Sequence, residues 1–127
     1  MNYLLDTHTL IWFLSGDENL SDKSKEVIEN LENSNFISIA SIWELAIKIS
    51  LDKFKFEKGF KKFLELIDEN GFEVIPISFE HAIRLARLEF IHRDPFDRLI
   101  VVQAMTDNLT VITKDENMTK YEIKTLW

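Results

Sequence analysis

An α/β fold built on a parallel sheet, with helices on both faces, is predicted by three features of the 127-residue sequence. Short apolar runs alternate with helical patterns along the chain, the order that gives parallel strands joined by right-handed crossovers. The first run, Tyr3-Leu4-Leu5, is continuously apolar or aromatic, as a strand covered on both faces must be. The composition is 46% apolar with only three glycines and two prolines, which suits a compact chain dense in regular elements. At this length the expectation is one domain with one core, spanning 1–127.

Tyr3 to Leu5 reads as a central strand, and Asp6-Thr7 as the start of a helix running from Thr7 to about Ser15. Asp6 then sits at the carboxyl end of a strand, where open α/β sheets bind ligands; the plainer alternative is that Asp6 or Thr7 only caps the helix. Gly16-Asp17-Glu18-Asn19 breaks the chain, and Ser21 is placed as the N-cap of a helix reaching about Leu31. Its thin stripe of Leu20, Val27, Ile28 and Leu31 suits a peripheral position, on the sheet edge or against a partner. After Asn33-Ser34-Asn35, Phe36 to Ile39 is the second strand. Ser41 to Ile49 is apolar on nearly every side, as a largely buried helix is, and its only charges are Glu44 and Lys48. Either these form an ordinary i, i+4 pair or Glu44 faces a polar cavity, because an unpaired buried charge is costly.

Lys53-Phe54-Lys55-Phe56 alternates basic and aromatic residues and leads into Phe60, Phe63, Leu64 and Ile67 at helical spacing. Single-stranded nucleic acid can use such interleaving, but core packing with solvated lysines accounts for it, a partner-binding surface being the exception. Asn70-Gly71 closes that helix, and Phe72 to Pro76 is a third strand, placed near an edge by its proline. Ser78 opens a helix with Ala82, Ile83, Leu85, Ala86 and Leu88 inward and Arg84 and Arg87 outward. Asp94-Pro95 is an N-cap acid followed by proline at the first helical position. Asp97 stands where a capping-box acid would, yet it shares a face with Val101 and Ala104 and so can point into a cleft. Asn108 ends that helix and Thr110 to Ile112 is the fourth strand. Asp115 repeats beyond it the placement of Asp6, again with a cap as the alternative, here for Glu116 to Lys120. Tyr121 to Trp127 suits an edge strand.

The absence of cysteine excludes disulfide frameworks and thiolate zinc sites. The N-terminus shows no signal-peptide pattern, and no run nears the ~20 apolar residues of a membrane span, so a soluble cytoplasmic protein with no membrane partner is expected. The formal charge of −7 opposes a simple phosphate-binding surface, unless acids converge on divalent cations that reverse the sign locally. His8, His81 and His92 lack the paired spacing of histidine metal motifs and are expected to be non-ligands. Asp6, Glu44, Asp97 and Asp115 stand at the ends of two strands and near the starts of two helices. Meeting in one cleft, they would repel one another unless protonated or bridged by cations. Carboxylates without histidine or thiolate suit Mg²⁺ or Mn²⁺, which in a two-metal arrangement activate water and stabilise the leaving oxygen of a phosphodiester. Hydrolysis of a nucleic-acid backbone is the chemistry implied.

Four stretches now bear on the family: Leu4-Leu5-Asp6-Thr7-His8 with Trp12; Ala40 to Lys48; His92 to Ile100 with Gln103-Ala104; and Val111 to Asp115 with Tyr121 and Trp127. In these the chain resembles PIN-domain proteins, specifically VapC-like toxin ribonucleases of toxin-antitoxin pairs, and Asp94-Pro95-Phe96-Asp97-Arg98 is the specific match. The resemblance implies a PIN-like three-layer α/β/α sandwich with a central parallel sheet. It also implies that Asp6, Glu44, Asp97 and Asp115 hold Mg²⁺ or Mn²⁺ for RNA cleavage, with Asp94 close enough to contribute. A homodimer and a cognate antitoxin lying over the active site are further implications. Glu89, where relatives often carry proline, and Met118, where an aromatic is common, depart from the pattern away from the proposed site. Lys48, Arg93 and Arg98 are candidate RNA phosphate contacts, with a plain surface role as the alternative for each. The leading expectation is a metal-dependent endoribonuclease. A non-catalytic PIN-fold protein- or RNA-binding module is the rival, and a phosphatase using Asp6 as nucleophile is opposed by His8, which stands where a second aspartate would.

Overall fold

A computed structural model describes all 127 residues. In chain order the elements are β1 Asn2–Leu5, α1 Thr7–Ser15, α2 Asp22–Glu29, β2 Ser34–Ser38, α3 Ile39–Ser50, α4 Phe60–Glu69 and β3 Glu73–Ile75. There follow α5 Phe79–Arg87, α6 Pro95–Asp107, β4 Thr110–Ile112, a 3₁₀ turn over Met118–Lys120 and β5 Thr125–Leu126. The sheet order is β3-β2-β1-β4-β5 and every pairing is parallel, so β1 is central and all carboxyl ends lie on one side.

Side chains alternate between the two faces of a strand, and in β1 both faces are buried. Leu5 packs with Leu10, Ile37, Leu45, Phe63 and Ile112 on one side. Leu4 packs with Ile100, Val101, Val111 and Met118 on the other. Helices α1 to α4 supply the first cluster and α6 the second, which gives the three-layer α/β/α sandwich.

Local chemistry sets the boundaries. Ser21 accepts from Ser24 N at 3.1 Å to start α2. Asp94 Oδ1 accepts from Phe96 N and Asp97 N at 2.9 and 3.0 Å, with Pro95 at the first position of α6. Asn108 ends α6 in the left-handed conformation at φ 54°, which asparagine tolerates better than most residues.

Three expectations are corrected here. Helix α2 stops at Glu29, and Leu31, expected in its apolar stripe, is fully exposed. Ile39 belongs to α3 rather than to the second strand, because the Ser38 hydroxyl accepts from Ala40 N at 3.0 Å and turns the chain there. On α5, Ala82, Ile83 and Ala86 are exposed, and the residue buried is His81. His81 builds a capping box with Ser78 and reaches Asp107 of α6 at 3.1 Å, so a polar clasp rather than the apolar stripe faces inward.

Candidate active site

The parallel topology brings the ends of β1 and β4 side by side, and Asp6 is held there by both. Thr9 N donates to Asp6 Oδ1 at 2.8 Å, and the Thr113 hydroxyl donates to Asp6 Oδ2. Burial pushes the Asp6 carboxyl above its ordinary range, opposed by these bonds from Thr113 and Thr9. Asp115 lies two residues on from Thr113, whose Oγ1 accepts from Asp115 N at 3.0 Å. Its own Oδ1 accepts from Asn117 N at 2.9 Å.

Glu44 enters from α3. Its Oε1 lies 2.9 Å from Thr7 Oγ1, and Lys48 Nζ is 2.8 Å from Oε2. Glu44 therefore makes the i, i+4 pair with Lys48 and is buried beside the Thr7 hydroxyl. Asp97 comes from the first turn of α6. Its carboxyl is pushed up to about 7, first by burial and then by the charges of Asp94, Asp6, Asp115 and Glu44. The charges of four acids therefore reach Asp97 at this end of the sheet. Beside them opens a cleft of about 570 Å³ lined by Asp6, His8, Trp12, Lys114, Asp115 and Lys120 among others.

The PIN domain profile matches residues 3–124. The chain belongs to the PIN domain family. Solved structures agree in fold. A chain of VapBC2 from Rickettsia felis, bound to a DNA fragment from its promoter, is 18% identical with a TM-score of 0.74, covering 99% of this chain and 98% of that one. FitAcB from Neisseria gonorrhoeae is 18% identical with a TM-score of 0.69, covering 98% and 96%. A toxin-antitoxin complex from Klebsiella pneumoniae is 20% identical with a TM-score of 0.68, covering 98% and 96%. No curated protein matches the sequence significantly. No helix of this PIN domain is long and apolar enough to cross a membrane.

One sequence expectation changes within the PIN site and another gains a neighbour. His92, expected to be a non-ligand, has Nε2 3.4 Å from Asp97 Oδ2, and His92, Asp97 and Asp115 each offer a ligand atom within 4.8 Å of the others. The signal in the sequence was its place two residues before the Asp94 cap, which folds it back over the start of α6. Arg98, expected as a phosphate contact, is 5% exposed. Its Nη1 donates to Glu89 O at 2.9 Å and its Nη2 to Leu88 O at 3.1 Å, and it stacks on Phe90 at 4.1 Å. It clamps the loop leading to Asp94 instead of facing solvent. Thr9, Thr113 and Tyr121 are the supporting residues that sequence reasoning missed. Nothing in local periodicity could reveal Thr113, whose partner lies 107 positions away.

Arg98→Ala should lower stability by about 1.5–3 kcal/mol in urea unfolding, because the Leu88 and Glu89 carbonyls would lose a charged donor and the Arg98 stem its packing. A loss under about 0.5 kcal/mol would show that the clamp carries no load.

Proposed function

We propose that this PIN domain, taking 1–127 as one unit, is a metal-dependent endoribonuclease that hydrolyses RNA phosphodiester bonds as the toxin of a toxin-antitoxin pair. The observation that carries this reading is the convergence at Asp97, whose ligand atom lies within 4.8 Å of those of Asp115 and His92 and whose carboxyl is pushed up to about 7 by burial and four other acids. Such crowding is unfavourable for the protein alone and suits a divalent cation among the carboxylates. The converging groups are oxygen donors, which fits Mg²⁺ or Mn²⁺. Asp6 and Asp97 would be the principal ligands, Glu44 a third, and Asp115 a ligand or water-orienting group, with Asp94 as a possible additional acid beyond its cap role. When bound, the metal would activate water and stabilise charge on the phosphodiester.

The chain's own groups do the positioning. Thr9 and Thr113 fix both Asp6 oxygens, and Thr7 and Lys48 fix those of Glu44. The dipole at the start of α6 favours negative charge there, and the Asp94 carboxylate already takes the Phe96 and Asp97 N–H groups. Exposed Lys114 and Lys120 line the cleft, and exposed Arg93 stands one residue before Asp94, as cations available to RNA phosphates. Lys48, already paired with Glu44, would reach phosphate only by sharing that partner.

The neighbouring VapBC and toxin-antitoxin structures support an antitoxin as partner. A second copy of this chain is the proposed cover for apolar surface on and beside α5, where Phe79 is 91% exposed and Ile77 and Ile83 are also open. Phe79→Asp should shift micromolar protein from dimer to monomer in sedimentation; a wild type that sediments as monomer rejects the dimer. RNA cleavage itself is tested with purified chain in Mg²⁺ or Mn²⁺ and in chelator. Cleavage only with the ion is expected, and no cleavage despite bound ion would return the binding-module reading.

A further inference from the structure

Resting on the proposed metal site, we infer that His92 is a positioning residue for Asp97, held by Tyr121 and Arg98 in the tautomer that carries its proton on Nε2 and donates it to the Asp97 carboxylate. The argument is a count of donors and acceptors around the Tyr121 hydroxyl. That oxygen receives the His92 backbone N–H at 3.4 Å and lies 3.4 Å from Arg98 Nη1, whose two hydrogens are shared with Glu89 O at 2.9 Å and His92 O at 3.5 Å; both groups can only donate. The hydroxyl has one proton of its own, and its partner is His92 Nδ1 at 2.7 Å. Nδ1 is therefore an acceptor, and a neutral imidazole that accepts at Nδ1 carries hydrogen at Nε2.

Nε2 faces Asp97 Oδ2 at 3.4 Å. This joint is as long as the one from Arg98 to Tyr121, as active-site hydrogen bonds often are before a ligand tightens them. The ring is kept on target by its edge-on packing against Tyr121, with centroids 5.4 Å apart. Arg98 in turn is anchored by the carbonyls of Leu88 and Glu89. The consequence is a division of labour within one carboxylate: Oδ2 is committed to His92, which leaves Oδ1 for a cation.

The competing role is that of a ligand, since His92, Asp97 and Asp115 are close enough to share an ion. Ligation through Nε2 would move the proton to Nδ1 and point it at an oxygen already receiving two donors. The tyrosine proton would then lose its acceptor. The Tyr121 environment thus favours the donor over the ligand.

Two substitutions separate the arms of His92. Gln places an amide nitrogen about where Nε2 stands and keeps the donor to Asp97; Asn places an amide oxygen about where Nδ1 stands and keeps only the acceptor for Tyr121. Half-saturating Mn²⁺, read from thermal shifts without RNA, should stay within about threefold of wild type in His92→Gln and rise about 10- to 100-fold in His92→Asn. Equal effects, or the reverse order expected of a residue that only braces the loop, would overturn the inference. Imidazole ¹⁵N NMR at pH 8 supplies the second readout. His92 should show Nε2–H in metal-free protein and keep it when Mg²⁺ is added. An Nδ1–H form, or loss of the Nε2 proton to Mg²⁺, would make it a ligand instead. The metal-free tautomer needs neither RNA nor ion, so it decides the inference even if the ribonuclease reading fails.

Discussion

Metal-free Asp97→Asn protein should melt higher than metal-free wild type at pH 8, and with Mg²⁺ or Mn²⁺ added it should cleave RNA at least about 10³-fold more slowly than wild type. The two effects have one cause. Asp97 sits among Asp94, Asp6, Asp115 and Glu44, and burial with their charges raises its carboxyl to about 7. Above that pH it is ionised against its surroundings, and folding opposes the charge. Each unit of such a shift is worth 1.36 kcal/mol, so the upper bound is about 4 kcal/mol; partial exposure of the side chain reduces this to roughly 1–3 kcal/mol. Asparagine keeps the shape and an oxygen that can accept from His92, while removing the charge. For a chain of this size the gain corresponds to several degrees of melting temperature. The same change removes a ligand oxygen and a charge from the proposed metal site, so activity should fall as stability rises. A metal-free variant less stable than wild type would mean that the acids do not strain one another. Retained cleavage would take Asp97 out of the mechanism.

What the sequence reveals and what it hides divides along the range of the interactions. Tyr3-Leu4-Leu5 is legible as the central strand because burial on both faces demands an unbroken apolar run, and Leu4 and Leu5 do enter opposite core clusters. The start of α6 is legible because Asp94 and Pro95 act on the next few backbone groups. The placements of Asp6 and Asp115 follow from strand ends alone; Asp6 is also the cap its plainer reading described, whereas Asp115 makes a turn bond to Asn117 N ahead of the 3₁₀ turn rather than capping a helix from Glu116. Helix α5 was misread because Ala82, Ile83 and Ala86 form a plausible inward face by periodicity. Its actual anchor is His81, bonded to Asp107 on another helix. Arg98 was misread for a related reason. Near the start of a helix a lone arginine resembles a surface cation, but its stem lets the guanidinium fold back onto the carbonyls of Leu88 and Glu89. The Thr113 bond to Asp6 and the Tyr121 bond to His92 exist only once the sheet has assembled.

Between pH 5.5 and 8 the melting temperature of metal-free wild type should fall, whereas the added stability from Mn²⁺ should grow. Asp6 and Asp97 both have folded-state values above the ordinary 3.8 of an aspartate. Between that value and about 7, native Asp97 holds a proton that the unfolded chain has released, so each rise in pH favours unfolding. Stability begins to decline near pH 4 and the Asp97 contribution is fully lost above about 7, with Asp6 acting in the same direction. Mn²⁺ requires ionised carboxylates and competes with those same protons, so its hold strengthens through the range in which the bare protein weakens. At 100 times its dissociation constant, an ion bound only to the folded state adds about 2.7 kcal/mol. Comparing the two pH profiles for wild type and Asp6→Asn locates the ion. A Mn²⁺ gain that grows with pH in wild type and vanishes in Asp6→Asn places it among these acids. A gain independent of pH, or one that survives the substitution, places it elsewhere on the surface and removes the chemical basis for the proposed hydrolysis.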